Sequence, residues 1–148
     1  VWTFSLGAYD VACLAALRAD QRITDGRLVV DYQAKTERPE SLAAWRAAFG
    51  PTSVRYVVNH SKMVTIASVS GLRLLCRGSF NFNHNPRFEQ LDLTEGGPEF
   101  DLVDSIEARL PVLDDSSTMA DAYRGSQLDQ AYSGSELKVF RGVKQWRR

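Results

Sequence analysis

At 148 residues, 44% of them hydrophobic, the chain is long enough to form one domain with its own core and needs no disulfide framework. No apolar run reaches the length of a membrane span. Formal net charge is zero but unevenly spread: residues 1–88 hold 11 Lys/Arg against 6 Asp/Glu, residues 89–121 hold 1 against 10, and residues 122–148 hold 6 against 2. The positive first part suits an anionic substrate, although an ordinary solvated surface accounts for it equally well.

Residues 1–5 read as a short strand and residues 7–20 as a helix with Val11, Leu14 and Leu17 among its apolar positions. A buried-type strand over 27–32 contains Leu28-Val29-Val30, and a second helix over 39–49 starts on Pro39 and is stopped by Gly50-Pro51. The next strand, 53–58, leads into His60-Ser61-Lys62. If that strand continues, period-two alternation sets His60 and Lys62 on one face, roughly 7 Å apart. An imidazole and an ammonium on one face ask for an anion, because a buried charge without a partner is costly.

A turn signal at 68–71 sends the chain back through a strand over 72–76 to Gly78-Ser79-Phe80-Asn81. Glycine there allows the backbone to approach a ligand, and the Ser79 hydroxyl and Asn81 amide are neutral donors for phosphate oxygens. Residues 88–93 alternate as a further strand, residues 98–110 form a helix, and a modest helix follows over 119–132. The pattern predicts an α/β domain over 1–112, with a mixed, largely parallel sheet flanked by helices, and a C-terminal extension over 113–148. The last stretch, 138–148, interleaves basic residues with Phe140 and Trp146, which suits nucleic-acid contact or simple docking of two aromatics.

Cys13 and Cys76 lie in apolar runs and read as small buried residues, which fits a reducing compartment. No close pair among His60, His84 and the cysteines has zinc-ligand spacing. The chain begins Val1-Trp2-Thr3 without a signal-peptide pattern, compatible with its being part of a longer one. Asn59-His60-Ser61 matches a glycosylation sequon and reads as chance without a secretion signal.

His60-x-Lys62 followed by Gly78-Ser79-x-Asn81 resembles the HKD signature of the phospholipase D superfamily, whose members cleave or transfer phosphodiesters in lipids or nucleic acids. The run from Asn81 through Pro86, Arg87, Phe88 and Glu89 to Gln90 resembles a branch encoded by phages and prophages. The resemblance implies a phospholipase D-like fold, a metal-independent phosphodiesterase with no cofactor, and a bacterial host cytoplasm if phage-encoded. It implies His60 as nucleophile through a phosphohistidine, Lys62 and Asn81 as phosphoryl contacts, Ser79 within the site, and Glu89 as the carboxylate orienting His60. Arg87 would add a bidentate phosphate contact. One such set is half of the family's apparatus, so the resemblance also implies a homodimer or a second set in a missing part.

Nucleic acid is the favoured substrate, since no apolar surface helix offers lipid access. The family usually carries Asp where this chain has Ala67, and the gap to Gly-Ser is longer by about four residues, which a longer hairpin absorbs. Ala67 motivates the alternative of a phage-associated binding or assembly module without turnover; a nucleic-acid-binding domain working through the basic tail is a third reading.

Overall fold

The computed structural model describes residues 1–83, 89–113 and 116–126. Its first half alternates strands and helices: β1 (Trp2–Thr3), α1 (Ala8–Ala19), β2 (Leu28–Asp31), the short α2 (Ala34–Glu37), α3 (Pro39–Phe49) and β3 (Val54–Val57). Its second half is a meander of β4 (Met63–Ala67), β5 (Arg73–Gly78) and β6 (Leu91–Glu95), followed by α4 (Gly97–Arg109) and α5 (Met119–Ser126). The six strands form one open sheet in the order β3-β2-β1-β4-β5-β6.

The sheet is mixed, and its parallel part is smaller than the sequence pattern predicts. Only β1–β2 and β2–β3 pair in parallel; β1–β4, β4–β5 and β5–β6 are antiparallel. Parallel pairing needs a long crossover, whereas β4 and β5 are joined by a tight turn in which Gly71 takes φ 93°. The predicted strand over 88–93 begins three residues later, at Leu91, and α2 has no counterpart in the sequence reading.

Alternating residues of the parallel strands feed two cores. Leu28, Val30, Val54 and Tyr56 point toward α1 and α3 and pack with Leu6, Val11, Leu42 and Trp45. On the opposite face Trp2, Val29, Val57 and Leu75 meet Phe100, Val103 and Leu110 of α4 and its end. Helix α3 begins with Pro39, whose missing N–H costs nothing at that position, and stops at Gly50 with φ 97°. Cys13 is exposed rather than buried, because it lies two residues, about 200°, around α1 from the inward-facing Val11. Cys76 is half-buried.

The topology sets the course of residues 58–62. Since β3 lies three strand spacings from β4, the link must cross roughly 14 Å with six peptide steps that reach about 20 Å at most. It therefore crosses over the C-terminal ends of β2 and β1. On the meander, Val64, Cys76 and Leu93 share one face by register, and Ile66, Leu91 and Leu93 there stay 46%, 61% and 61% exposed. The described part of the C-terminal extension is docked: the Tyr32 hydroxyl and the Lys35 ammonium both donate to the Ser117 carbonyl, at 2.9 and 3.0 Å. The rest of that extension, with the tail over 138–148, lies outside the described residues. No helix among the described residues is long and apolar enough to cross a membrane.

Candidate active site

His60 and Lys62 lie in this link, not on a strand as the alternation predicts. The extended pattern is broken after Val57 because β4 pairs with β1, on the far side of β2, and the chain must leave the ladder to get there. What fixes the link is a buried polar anchor. Asp31, at the end of β2, accepts the backbone N–H of Asn59 at 2.9 Å and that of Gln33 at 3.0 Å. The Asn59 amide donates to the Thr3 carbonyl at 3.3 Å and accepts the Ser61 N–H at 2.7 Å. Both Asp31 and Asn59 are buried, so each bond replaces water that is excluded from the site.

Held this way, His60 faces solvent while its ring lies 5.3 Å from that of Phe4. The Lys62 ammonium stands 3.1 Å from Nδ1 and 3.3 Å from Nε2 of His60, donates to the His60 carbonyl at 2.7 Å, and sits 5.9 Å from the Phe4 ring. The ammonium thus lies at nearly equal distance from the two ring nitrogens and sets a positive charge beside the imidazole. Partial burial lowers the Lys62 pKa below the usual lysine value, and the Glu89 carboxylate acts in the opposite sense.

The Gly78 segment comes alongside through the meander. Gly78 N–H donates to the Lys62 carbonyl at 3.1 Å, which ties the end of β5 directly to the link. The close approach that demands glycine is to protein rather than ligand: a Cβ at residue 78 would stand 2.0 Å from the Gln90 carbonyl oxygen. Ser79 is bound on both sides, donating its N–H to Gln90 O at 3.2 Å and accepting the Gln90 N–H on Oγ at 3.0 Å. Its hydroxyl donates to the Glu89 carboxylate.

Among the described residues, the partners of the His60 ring are Lys62 and Phe4, so the role of Glu89 as its orienting carboxylate is not what the geometry displays. The antiparallel β5–β6 register continues to Ser79 opposite Gln90, and the adjoining Glu89 accepts the Ser79 hydroxyl instead. From there its charge still reaches Lys62. Asn81 follows on the same segment, with an enclosed Oδ1 that has no hydrogen-bond partner. Phe82 then bridges to Leu6: its carbonyl accepts Gly7 N–H at 2.7 Å, and its own N–H donates to Thr3 Oγ1 at 2.8 Å. His84 and Arg87 lie outside the described residues.

Thus the C-terminal edge of β1 and β2 gathers three segments, 4–7, 58–62 and 78–83, as expected for a ligand site of an α/β sheet. His60 and Lys62 come together, Ser79 joins Glu89, and Glu89 acts on Lys62 through charge. Sequence reasoning missed Asp31, Asn59, Thr3 and Phe4, which hold or flank the His60 segment. Asn59 was visible only as part of a sequon, and nothing local indicates that its amide reaches Thr3, 56 residues away. A cavity of about 580 Å³ opens on the same edge between the starts of α1 and α3, with Gly7, Asp10, Arg38, Ser41 and Asn83 in its wall; neither His60 nor Lys62 lines it. Among the described residues no three His, Cys, Asp or Glu side chains are grouped as a metal site requires.

No protein-family model matches the chain, and no curated protein or solved structure is significantly similar to it.

Proposed function

We propose that the protein is a metal-independent phosphodiesterase of the phospholipase D type that acts on nucleic acid as a homodimer. The observation that supports this reading best is the exposed His60 imidazole 3.1 Å from the Lys62 ammonium, on a link anchored by buried hydrogen bonds. An unprotonated ring nitrogen attacks phosphorus, the phosphorus–oxygen bond to the leaving group breaks, and a phosphohistidine forms. Lys62 stabilises charge on the non-bridging oxygens, with Asn81 as a second contact. The leaving oxygen takes a proton from His60 of the partner subunit, which later removes one from the water that hydrolyses the intermediate.

The open position of His60 leaves room for a second copy to complete the site. The exposed apolar face of the meander, containing Ile66, Leu91 and Leu93, is a further surface available for contact. Ala67 gives little ground for the alternative module without turnover. It closes β4 at the end away from the link, five residues beyond Lys62, so a carboxylate there would stand roughly 16 Å from the ammonium.

The test is incubation with DNA, RNA and phospholipid panels in excess chelator, comparing wild type with His60→Ala. Cleavage of nucleic acid that survives chelation and falls by at least about 10³-fold in the variant is the expected result. Equal mixing of exchanging wild-type and His60→Ala chains should halve activity per wild-type chain, since about a quarter of dimers keep both histidines. Activity that requires added zinc or magnesium, or turnover by a monomer, refutes the mechanism.

A further inference from the structure

Beside the His60 link lies a second cavity, of about 480 Å³, between α5 and the C-terminal ends of β2 and β3. Its wall includes Tyr32, Gln33, Val58, Met119, Tyr123 and Arg124. We propose that this cavity is a nucleobase subsite, holding the base next to the scissile phosphate; the assignment rests on the phosphodiesterase reading above.

The first argument is composition. Val58, Met119 and Tyr123 are 49%, 50% and 56% exposed, and they converge on this one concavity. Exposed apolar side chains scattered singly are ordinary, whereas their convergence in a pocket marks a binding surface. A phenol ring and a thioether are flat or adaptable surfaces of the kind on which any base can stack. The wall also has the polar element a base edge needs: among the described residues the Gln33 side-chain amide has no hydrogen bond, leaving donors and an acceptor free.

The second argument is rigidity. Helix α5 is closed at its start by a reciprocal cap, with Thr118 N–H donating to Asp121 Oδ2 at 2.8 Å and Asp121 N–H donating to Thr118 Oγ1 at 3.3 Å. The preceding Ser117 carbonyl is held by Tyr32 and Lys35, and Ala122 is fully buried against the domain. The wall formed by Met119 and Tyr123 is therefore in place before any ligand arrives, which spares the ordering cost of binding.

The third argument is position. Val58 is two residues before His60, a reach of about 7 Å at most. The cavity lies over β2 and β3, and the link carries His60 on toward β1, one or two strand spacings away, roughly 5–10 Å. One nucleotide spans that interval, with its phosphate at His60 and its base in the cavity. An acyl chain fits less well, because it would bury the Gln33 amide without supplying a partner and would take water from the Arg124–Asp121 ion pair.

The probe is a short single-stranded oligodeoxynucleotide, compared with the same oligomer carrying abasic linkers beside the scissile phosphate. Wild type should show a KM about 5- to 100-fold lower for the intact oligomer, the effect of one base–aromatic stack. Tyr123→Ala should raise the KM of the intact oligomer and remove most of that difference, and Gln33→Ala should reduce discrimination among bases. Since Tyr123 is exposed, circular dichroism and the melting temperature serve to verify that the variant folds. Equal KM values for intact and abasic oligomers, or equal losses on both in Tyr123→Ala, overturn the subsite, as does protection of Tyr123 by phosphatidylcholine micelles but not by the oligomer. Binding to His60→Ala, read by chemical shifts of the Tyr123 ring, separates the two proposals. Tyr123-dependent binding without turnover in wild type sinks the phosphodiesterase and keeps the subsite; turnover without Tyr123 dependence does the reverse.

Discussion

Gly78→Ala isolates the contact that draws the Ser79–Glu89 pair toward the His60 link. A single added methyl would stand 2.0 Å from Gln90 O and 2.8 and 2.9 Å from the Phe80 ring, against about 3.5 Å or more for ordinary contact. The Phe80 ring can turn aside, but the Gln90 carbonyl is backbone, so β5 and β6 must separate by more than about 1 Å at this rung. At that separation the bonds Ser79 N–H to Gln90 O and Gln90 N–H to Ser79 Oγ, now 3.2 and 3.0 Å, are lost. Two such bonds are worth about 1–3 kcal/mol, and the lower chain entropy of unfolded Ala returns about 0.4–1 kcal/mol. The expected net loss is about 1–2 kcal/mol, or roughly 3–8 °C in Tm for a chain of this size. Thermal and urea melts measure this, and the phosphodiesterase assay should show a further fall in kcat because Glu89 moves away from Lys62. A variant that melts at or above wild type with unchanged activity would show that β5 and β6 do not approach as described, and the account of the Ser79 side of the site would fail.

Asn59→Ala removes the acceptor of Ser61 N–H and the donor to Thr3 O, and should cost about 1–3 kcal/mol in denaturant melts while lowering kcat through loss of His60 placement. Wild-type kcat in this variant would rule out the anchor. If protonated Lys62 is needed, its lowered pKa brings the alkaline loss of activity to a lower pH than for an ordinary lysine. Glu89→Gln removes the influence that raises this pKa, so the alkaline limb of the pH–rate profile should move further toward acid; a shift the other way contradicts the pairing. Ala67→Asp, on an exposed residue opposite Arg73, should change stability by no more than about 0.5 kcal/mol and leave kcat unaltered. A large gain in activity would mean that this end of β4 takes part in the chemistry.

Local sequence determined the elements and the chemistry. Alternating Leu28, Val29 and Val30, the Pro39 start and Gly50 stop of α3, and the turn at Gly71 are written in short-range sterics and burial, and each forms at its predicted place. The residue types of His60, Lys62, Ser79 and Glu89 limit what the site can do whatever the fold. Only tertiary structure decided which of them meet. Period-two alternation tells which face a strand residue takes but not which strand lies beside it. That β4 skips β2 to pair with β1 follows from the packing of the whole sheet, and this long-range choice turns a continuous strand into a crossing link. The same choice recruits Asp31, Asn59 and Thr3 as anchors, because the link must cross the ends of β2 and β1 and its backbone donors must find partners there. Glu89 meets Ser79 for a similar reason: the long-range register that pairs Gly78 with Leu91 sets Gln90 opposite Ser79 and brings the adjoining Glu89 within reach of its hydroxyl.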